Sequence, residues 1–206
     1  GVLLASGFIF GFDKLGVSAA QGFMVMGVIT LGLTILTLKV LPDFLIRFVA
    51  LLLTRVLYRI RAIGVENLPH EGGALLVSNH VSFMDALQIL AIQQRRIRFM
   101  MGRQIYEGHF LKPLFKLMGI IPIAMDDSPK KIVESLRAAR KALDDGYMVC
   151  IFAEGALTRT GMMHRFKSGF ERIVKNSSYP VIPIYIGGTW GSIFSHFYTK
   201  RLARRP

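Results

Sequence analysis

The stretch "ALLVSNHVSFMD", Ala74 to Asp85, decides how this chain is read. A short apolar run bounded by polar residues, "ALLV", fits a strand buried on both faces. The apolar stretch from Val81 to Ile92 fits a following helix, so Asn79 and His80 fall at the strand's carboxyl end. Residues five apart on a regular helix point about 140° away from each other. His80 and Asp85 therefore meet only if His80 stays in the loop and Asp85 enters the first helical turn. There the carboxylate could fix the imidazole tautomer and stabilise the imidazolium formed when the ring takes a proton. A second explanation needs no chemistry: Ser82 at the N-cap with Asp85 three residues later resembles a capping box.

Outward from this stretch, further strands are expected at Ile97–Met101, Gly119–Ile123, Met148–Phe152 and Val181–Ile186, after a first at Ala74–Val77. "SPKKIVESLRAARKALDDG" reads as a strong helix, with Ser128 as N-cap, Pro129 in the first turn and Gly146 as the stop. Ile132, Leu136, Ala139 and Leu143 form its apolar stripe. Strands alternating with helices predict an α/β fold, a mostly parallel sheet flanked by helices, with functional groups gathered at the carboxyl ends of the strands.

The N-terminal part is different. Leu15 to Leu38 carries no charge over about 24 residues, long enough to cross a hydrocarbon core of roughly 30 Å. Residues 1–12 read as the end of a preceding span, with Asp13 and Lys14 in the turn between two membrane helices and "GFIFG", Gly7 to Gly11, as a small-residue packing motif. From Phe44 to Ile60, Arg47, Arg55 and Arg59 recur at multiples of four. That pattern fits a basic helix lying on anionic lipid, or an amphipathic helix packed on the domain that follows. The expected organisation is transmembrane helices over 1–43, a basic interfacial helix over 44–60 and a catalytic domain over 61–206.

Composition agrees with a membrane setting. Of the 206 residues 52% are hydrophobic, and a net charge of +13 suits an anionic partner. Lipid is favoured over nucleic acid, because most phenylalanines sit inside apolar runs rather than interleaved with basic residues. The lone Cys150 excludes an intramolecular disulfide and suits a reducing, cytoplasm-facing compartment. Basic residues after Leu38 place that end in the cytoplasm by the positive-inside tendency.

Other chemistries lack their signatures. The sequence contains no G-x-S-x-G elbow, no P-loop and no G-x-G-x-x-G, and Cys150 lies in the apolar run "YMVCIF" where a structural thiol is expected. His70, His80, His109, His164 and His196 are scattered without metal-ligand spacing, so no metal site is expected. The second informative stretch is "IFAEGALTRTG", Ile151 to Gly161, where Glu154 and Gly155 turn the chain out of a strand. Arg159, with Arg165 and Lys167, offers charge-assisted bonds to a phosphate, or else a solvated polar loop. In "VIPIYI", Val181 to Ile186, a proline inside a strand-like run predicts an edge strand or a ligand-lining bend.

Together these stretches resemble the glycerolipid acyltransferase family. Its first motif, N-H-x-x-x-x-D, matches Asn79, His80 and Asp85; its third, F-P-E-G, matches Phe152, Glu154 and Gly155; its fourth, V-I-P-V, matches Val181 to Ile184; "GIIPI", Gly119 to Ile123, is similar to the second. "GIIPIAMDDSPKK", "FAEGALTRTG", "FKSGFERIVK" and "WGSIFS" further resemble bacterial fusions of a lysophospholipid transporter, an acyltransferase and a synthetase that makes acyl-[acyl-carrier protein].

The resemblance implies that His80 is a general base oriented by Asp85. It implies that Asn79, Glu154, Gly155 and Arg159, with Arg103 as a further contact, bind the acceptor, and that Ile182 and Pro183 line the acyl path. It implies no cofactor and no metal beyond an acyl-carrier-protein or coenzyme A thioester as co-substrate, a membrane-lipid partner, no nucleic acid, and a bacterial inner membrane with the catalytic part facing the cytoplasm. The implied acceptor is 2-acylglycerophosphoethanolamine, with 1-acylglycerol 3-phosphate or a mainly transporting role as alternatives. A final strand and a synthetase domain are expected after "RLARRP". Three departures stand out: Ala153 replaces the third motif's proline and is expected to loosen that turn; Leu157 stands where an arginine is common; Met125 and Asp126 replace a common arginine near the second motif.

Overall fold

The computed structural model describes Gly16 and residues 18–108, 110–192 and 194–196. The expected first span, the turn at Asp13 and Lys14, the Gly7–Gly11 packing motif and the chain after His196 lie outside the described residues. The chain divides into two compact units, Gly1–Ile46 and Arg47–Pro206.

In the first unit, Ser18 opens helix α1 (Ala19–Leu57) with a reciprocal cap: its backbone N–H donates to Gln21 Oε1 at 3.0 Å, and Gln21 N–H donates to Ser18 Oγ at 3.4 Å. Eighteen residues, Ala20–Thr37, are long and apolar enough to cross a membrane, and Phe23, Met24 and Val28 stand exposed on them. The helix passes without a break through the expected boundary at 43/44. A change in charge pattern does not interrupt backbone hydrogen bonding, so composition shifts there while the helix does not end.

The second unit contains the last turns of α1, followed by β1 (Ala74–Ser78), α2 (Asp85–Ala91), β2 (Ile97–Gly102), α3 (Arg103–Gly108), α4 (Lys112–Leu117), β3 (Ile121–Ile123), α5 (Pro129–Asp144), β4 (Met148–Phe152), α6 (Glu171–Val174) and β5 (Val181–Ile184). The five strands form one sheet in the order β3-β2-β4-β1-β5, and every pairing is parallel. The predicted fold class is therefore the observed one.

The central strands bury both faces. Leu75, Val77 and Val149 point toward Leu136, Ala139 and Leu143 of α5. Ala74, Leu76, Met148 and Cys150 point the other way, toward Ile89 and Leu90 of α2 and Ala50 of α1. Each fully buried Leu or Ile contributes about 1.5–3 kcal/mol. Prolines guard both edges: Pro122 on β3 and Pro183 on β5. Leu75 N–H donates to the Pro180 carbonyl at 3.0 Å, so by alternation Ile182 and Ile184 face β1 and Pro183, with no N–H to give, faces the open edge.

α5 starts as its sequence requires, with Ser128 Oγ accepting from Lys131 N–H at 3.5 Å and Pro129 next, and Gly146 (φ 83°) turns the chain into β4. At and just past the end of α1, Ala50, Thr54 and Tyr58, four residues apart, are buried. Leu45, Phe48, Leu52 and Val56 remain exposed on other faces. The helix stops at Leu57 rather than Ile60.

Candidate active site

The site lies beyond the carboxyl ends of β1, β4 and β5. After Ser78 the chain leaves the sheet, and α2 begins only at Asp85, four residues later than the hydrophobic pattern predicts. The cause is Asp85 itself. Its Oδ2 accepts from Val81 N–H at 2.6 Å and from Ser82 N–H at 2.9 Å, and lies 2.8 Å from His80 Nδ1. Those two N–H groups are held by a carboxylate instead of a helical ladder. His80 stays in the loop, Asp85 opens the helix, and the two meet.

Half of the capping box also exists. Asp85 accepts from Ser82 N–H, but Ser82 Oγ takes the Met84 N–H at 3.2 Å and donates to the Phe194 carbonyl at 3.2 Å. Base and cap share one carboxylate oxygen. The contact with Asp85 fixes His80 as the Nδ1–H tautomer, leaving the lone pair on Nε2. The ring stacks on Phe152 with centroids 4.0 Å apart, and its side chain is 21% exposed, whereas Asp85 is fully buried. Asp85 Oδ1 is buried with no hydrogen-bond partner among the described residues.

Glu154, expected to bind the acceptor, is 4% exposed and has both oxygens engaged by backbone: Oε1 accepts from His80 N–H and Oε2 from His164 N–H, each at 2.8 Å. It braces the histidine loop against the loop after β4. The Thr158 N–H adds a bond to the His80 carbonyl at 3.0 Å. Replacing Glu154 with Gln turns an acceptor into a donor facing a part-buried N–H. The expected cost is about 1–3 kcal/mol of unfolding free energy, read from a denaturant midpoint, with slower turnover.

Asn79 is likewise structural. Its amide donates to the Ile186 carbonyl at 2.9 Å and accepts from Ile186 N–H at 2.8 Å. Because Ile186 is paired with a side chain, β5 ends at Ile184, two residues before the sequence pattern does. Ala153 does not loosen its turn. Having an N–H that proline lacks, it donates to the Ser78 carbonyl at 3.1 Å, while its own carbonyl accepts from Lys167 N–H at 2.8 Å. Gly155 is exposed with φ 75°, a conformation that favours glycine, and Arg159 is exposed on the loop that follows.

Arg103 is not a free phosphate contact. Its Nε donates to Asp127 Oδ1 at 2.8 Å and its Nη2 to the Pro122 carbonyl at 3.3 Å. The hydrogen bond from Arg103 holds the Asp127 carboxyl below its ordinary value. A carboxyl lowered in the folded state stabilises above its ordinary range, and that stabilisation is lost as pH falls through the folded value. Asp127→Asn is therefore expected to flatten the fall of Tm below about pH 4, measured as a series of melts against pH. An unchanged acid limb would contradict this.

Cys150 is inert, its thiol pushed up first by burial and then by the nearby Asp85 charge. Among the described residues, no group of three or more His, Cys, Asp or Glu could hold a metal ion.

Two cavities adjoin these groups. A pocket of about 80 Å³ is lined by Asn79, Glu154, Thr158, Met162, Tyr185 and Trp190. A groove of about 250 Å³ runs along β5, lined by Ile182, Pro183 and Ile184 with Leu68, Ile89 and Ile92. Tyr185 to Gly188 wall both. In the sequence Phe152 stands out only as a motif match, and Tyr185 and Thr158 carry no local signal; Trp190 is marked only by being the chain's single tryptophan.

The sequence profile of the acyltransferase family matches residues 59–187, which contain all of this machinery except Gly188, Trp190 and Phe194. The chain belongs to this family. It is 30% identical over 133 residues to the chloroplastic 1-acyl-sn-glycerol-3-phosphate acyltransferase LPAT1 of Arabidopsis thaliana, covering 64% of this chain and 37% of that protein. With a probable 1-acyl-sn-glycerol-3-phosphate acyltransferase of Mycoplasma pneumoniae it shares 26% identity over 165 residues, 77% of this chain and 59% of the relative. The chain thus spans only part of the length of the curated relatives it matches. The crystal structure of the 1-acyl-sn-glycerophosphate acyltransferase PlsC from Thermotoga maritima superposes with a TM-score of 0.54 at 18% identity, covering 88% of this chain and 72% of that one, a likeness of fold.

Proposed function

We propose that this acyltransferase chain moves a fatty acyl group from a thioester to the hydroxyl of a lysophospholipid, with His80 as general base. The observation that carries the proposal is the 2.8 Å contact between His80 Nδ1 and the buried Asp85 carboxylate, on a ring whose side chain remains partly exposed. Nε2 takes the proton of the acceptor hydroxyl as its oxygen attacks the thioester carbonyl. The tetrahedral intermediate collapses with cleavage of the C–S bond, and the proton passes from the imidazolium to the departing thiolate. Asp85 stabilises the imidazolium between these steps. The thioester is already activated, so no acyl-enzyme, metal or further cofactor enters the scheme.

The finer assignment is 2-acylglycerophosphoethanolamine as acceptor and acyl-carrier protein or coenzyme A as donor, as part of a transporter, acyltransferase and synthetase fusion at a bacterial inner membrane, facing the cytoplasm. "FAEGALTRTG" and "WGSIFS" support the fusion, and the apolar Ala20–Thr37 part of α1, followed along the chain by Arg47, Arg55 and Arg59, supports the membrane setting. The groove beside Ile182 and Pro183 suits the acyl chain by its size and the apolar side chains along β5, with Arg59 and Arg61 also on its lining. The names of the relatives favour 1-acylglycerol 3-phosphate as the competing acceptor. Offering both acceptors together with labelled acyl donor in detergent or vesicles separates the two, and transfer to neither would overturn the proposal.

A further inference from the structure

The small pocket beside His80 has an unexpected chemical character for so basic a chain. Among the described residues no lysine or arginine lines it, although the chain carries 26. Its lining instead combines the indole of Trp190, the ring of Tyr185 and the carboxylate of Glu154. Glu154 is 4% exposed and is held by two backbone N–H groups, with no cationic side chain paired to it among the described residues. A buried carboxylate without a counter-ion is costly, and a negative charge beside two aromatic side chains is a lining that attracts an organic cation. The indole is also fixed: Gly161 (φ 81°) lies so close that a Cβ there would fall 2.7 Å from the Trp190 ring nitrogen. One side of the ring is therefore backed by main chain, and the ring is held in the wall of the pocket.

We infer that the pocket walled by Trp190, Tyr185 and Glu154 binds the ammonium end of a zwitterionic lysophospholipid acceptor. The inference rests on the acyltransferase reading and sharpens it. At about 80 Å³ the pocket suits a head group of a few heavy atoms and is too small for an acyl chain, which the 250 Å³ groove on the far side of Tyr185–Gly188 accommodates better. The exposed Arg159 on the adjoining loop remains for the phosphodiester. A phosphomonoester without an ammonium group would bring negative charge toward Glu154, so discrimination favours the zwitterion.

Because Trp190 is the chain's single tryptophan, its fluorescence reports on the pocket without turnover. Titrating the detergent-solubilised chain with glycerophosphoethanolamine is expected to change the emission saturably, and glycerol 3-phosphate at equal ionic strength is not. An equal response to both, or to neither, overturns the subsite. In acyl-transfer assays, Trp190→Leu is expected to lower the ratio of kcat/KM for 2-acylglycerophosphoethanolamine over that for 1-acylglycerol 3-phosphate about tenfold, with Trp190→Phe intermediate. If Trp190→Leu does not fold, Tyr185→Leu, at a 79% exposed position, is expected to move the ratio in the same direction. A ratio unmoved in every folded variant overturns the inference. Absence of acyl transfer to any acceptor would instead defeat the acyltransferase reading while leaving the fluorescence result to stand or fall by itself.

Discussion

His80→Ala is expected to slow acyl transfer by on the order of 10³-fold while the chain still folds. The two halves of this expectation have separate physical origins. Turnover falls because Nε2 is the group assigned to receive the hydroxyl proton, and nothing replaces it: Asp85 is fully buried and already accepts from two backbone groups. Folding survives because the backbone of residue 80 keeps its bonds to Glu154 and Thr158, neither of which uses the imidazole. The lost ring forfeits its stack on Phe152, about 1 kcal/mol. Labelled acyl transfer and a thermal melt on the same preparation test both halves. Turnover near the parent rate with an intact melt would remove His80 from the mechanism.

The contrast between His80 and Glu154 also shows what the sequence could disclose. Strands at "ALLV" and "YMVCIF" and the helix after Ser128 were legible because apolar period, cap and stop lie within a few residues of one another. The meeting of His80 and Asp85 was legible as one of two alternatives, since both depend on where a single helix begins. The bracing role of Glu154 was not legible because its partners are the backbone N–H groups of His80 and His164, and a backbone group carries no sequence signature. Arg103 is hard to read for a related reason. Its partner Asp127 is 24 residues away, across β3, and one basic residue near a strand end looks the same whether it meets a phosphate or a carboxylate. Asn79 fits the same pattern, with its carboxamide paired to the main chain 107 residues later. Tyr185 and Trp190 join the pocket only because β5 returns beside β1, a pairing fixed by topology rather than by any local pattern.

Asp85 is where stability and chemistry are expected to separate. Asp85→Asn keeps an oxygen that can accept from Val81 and Ser82, so the loop is expected to hold its shape. Removing the charge also relieves the desolvation of Oδ1, which is buried without a partner. Its melting temperature is therefore expected to stay close to that of the parent. Its turnover is not: a neutral amide does not stabilise the imidazolium, and a loss of about 10²–10³-fold in kcat is expected, with little change in KM. Asp85→Ala removes the acceptor as well as the charge, leaving two buried N–H groups unpaired. That variant is expected to lose about 2–4 kcal/mol of stability in addition to activity. If the asparagine variant turns over normally, the carboxylate is only a cap for α2 and the base acts without it. If instead it unfolds as readily as the alanine variant, the charge itself holds the loop, and the geometry around Oδ2 owes more to electrostatics than to hydrogen bonding.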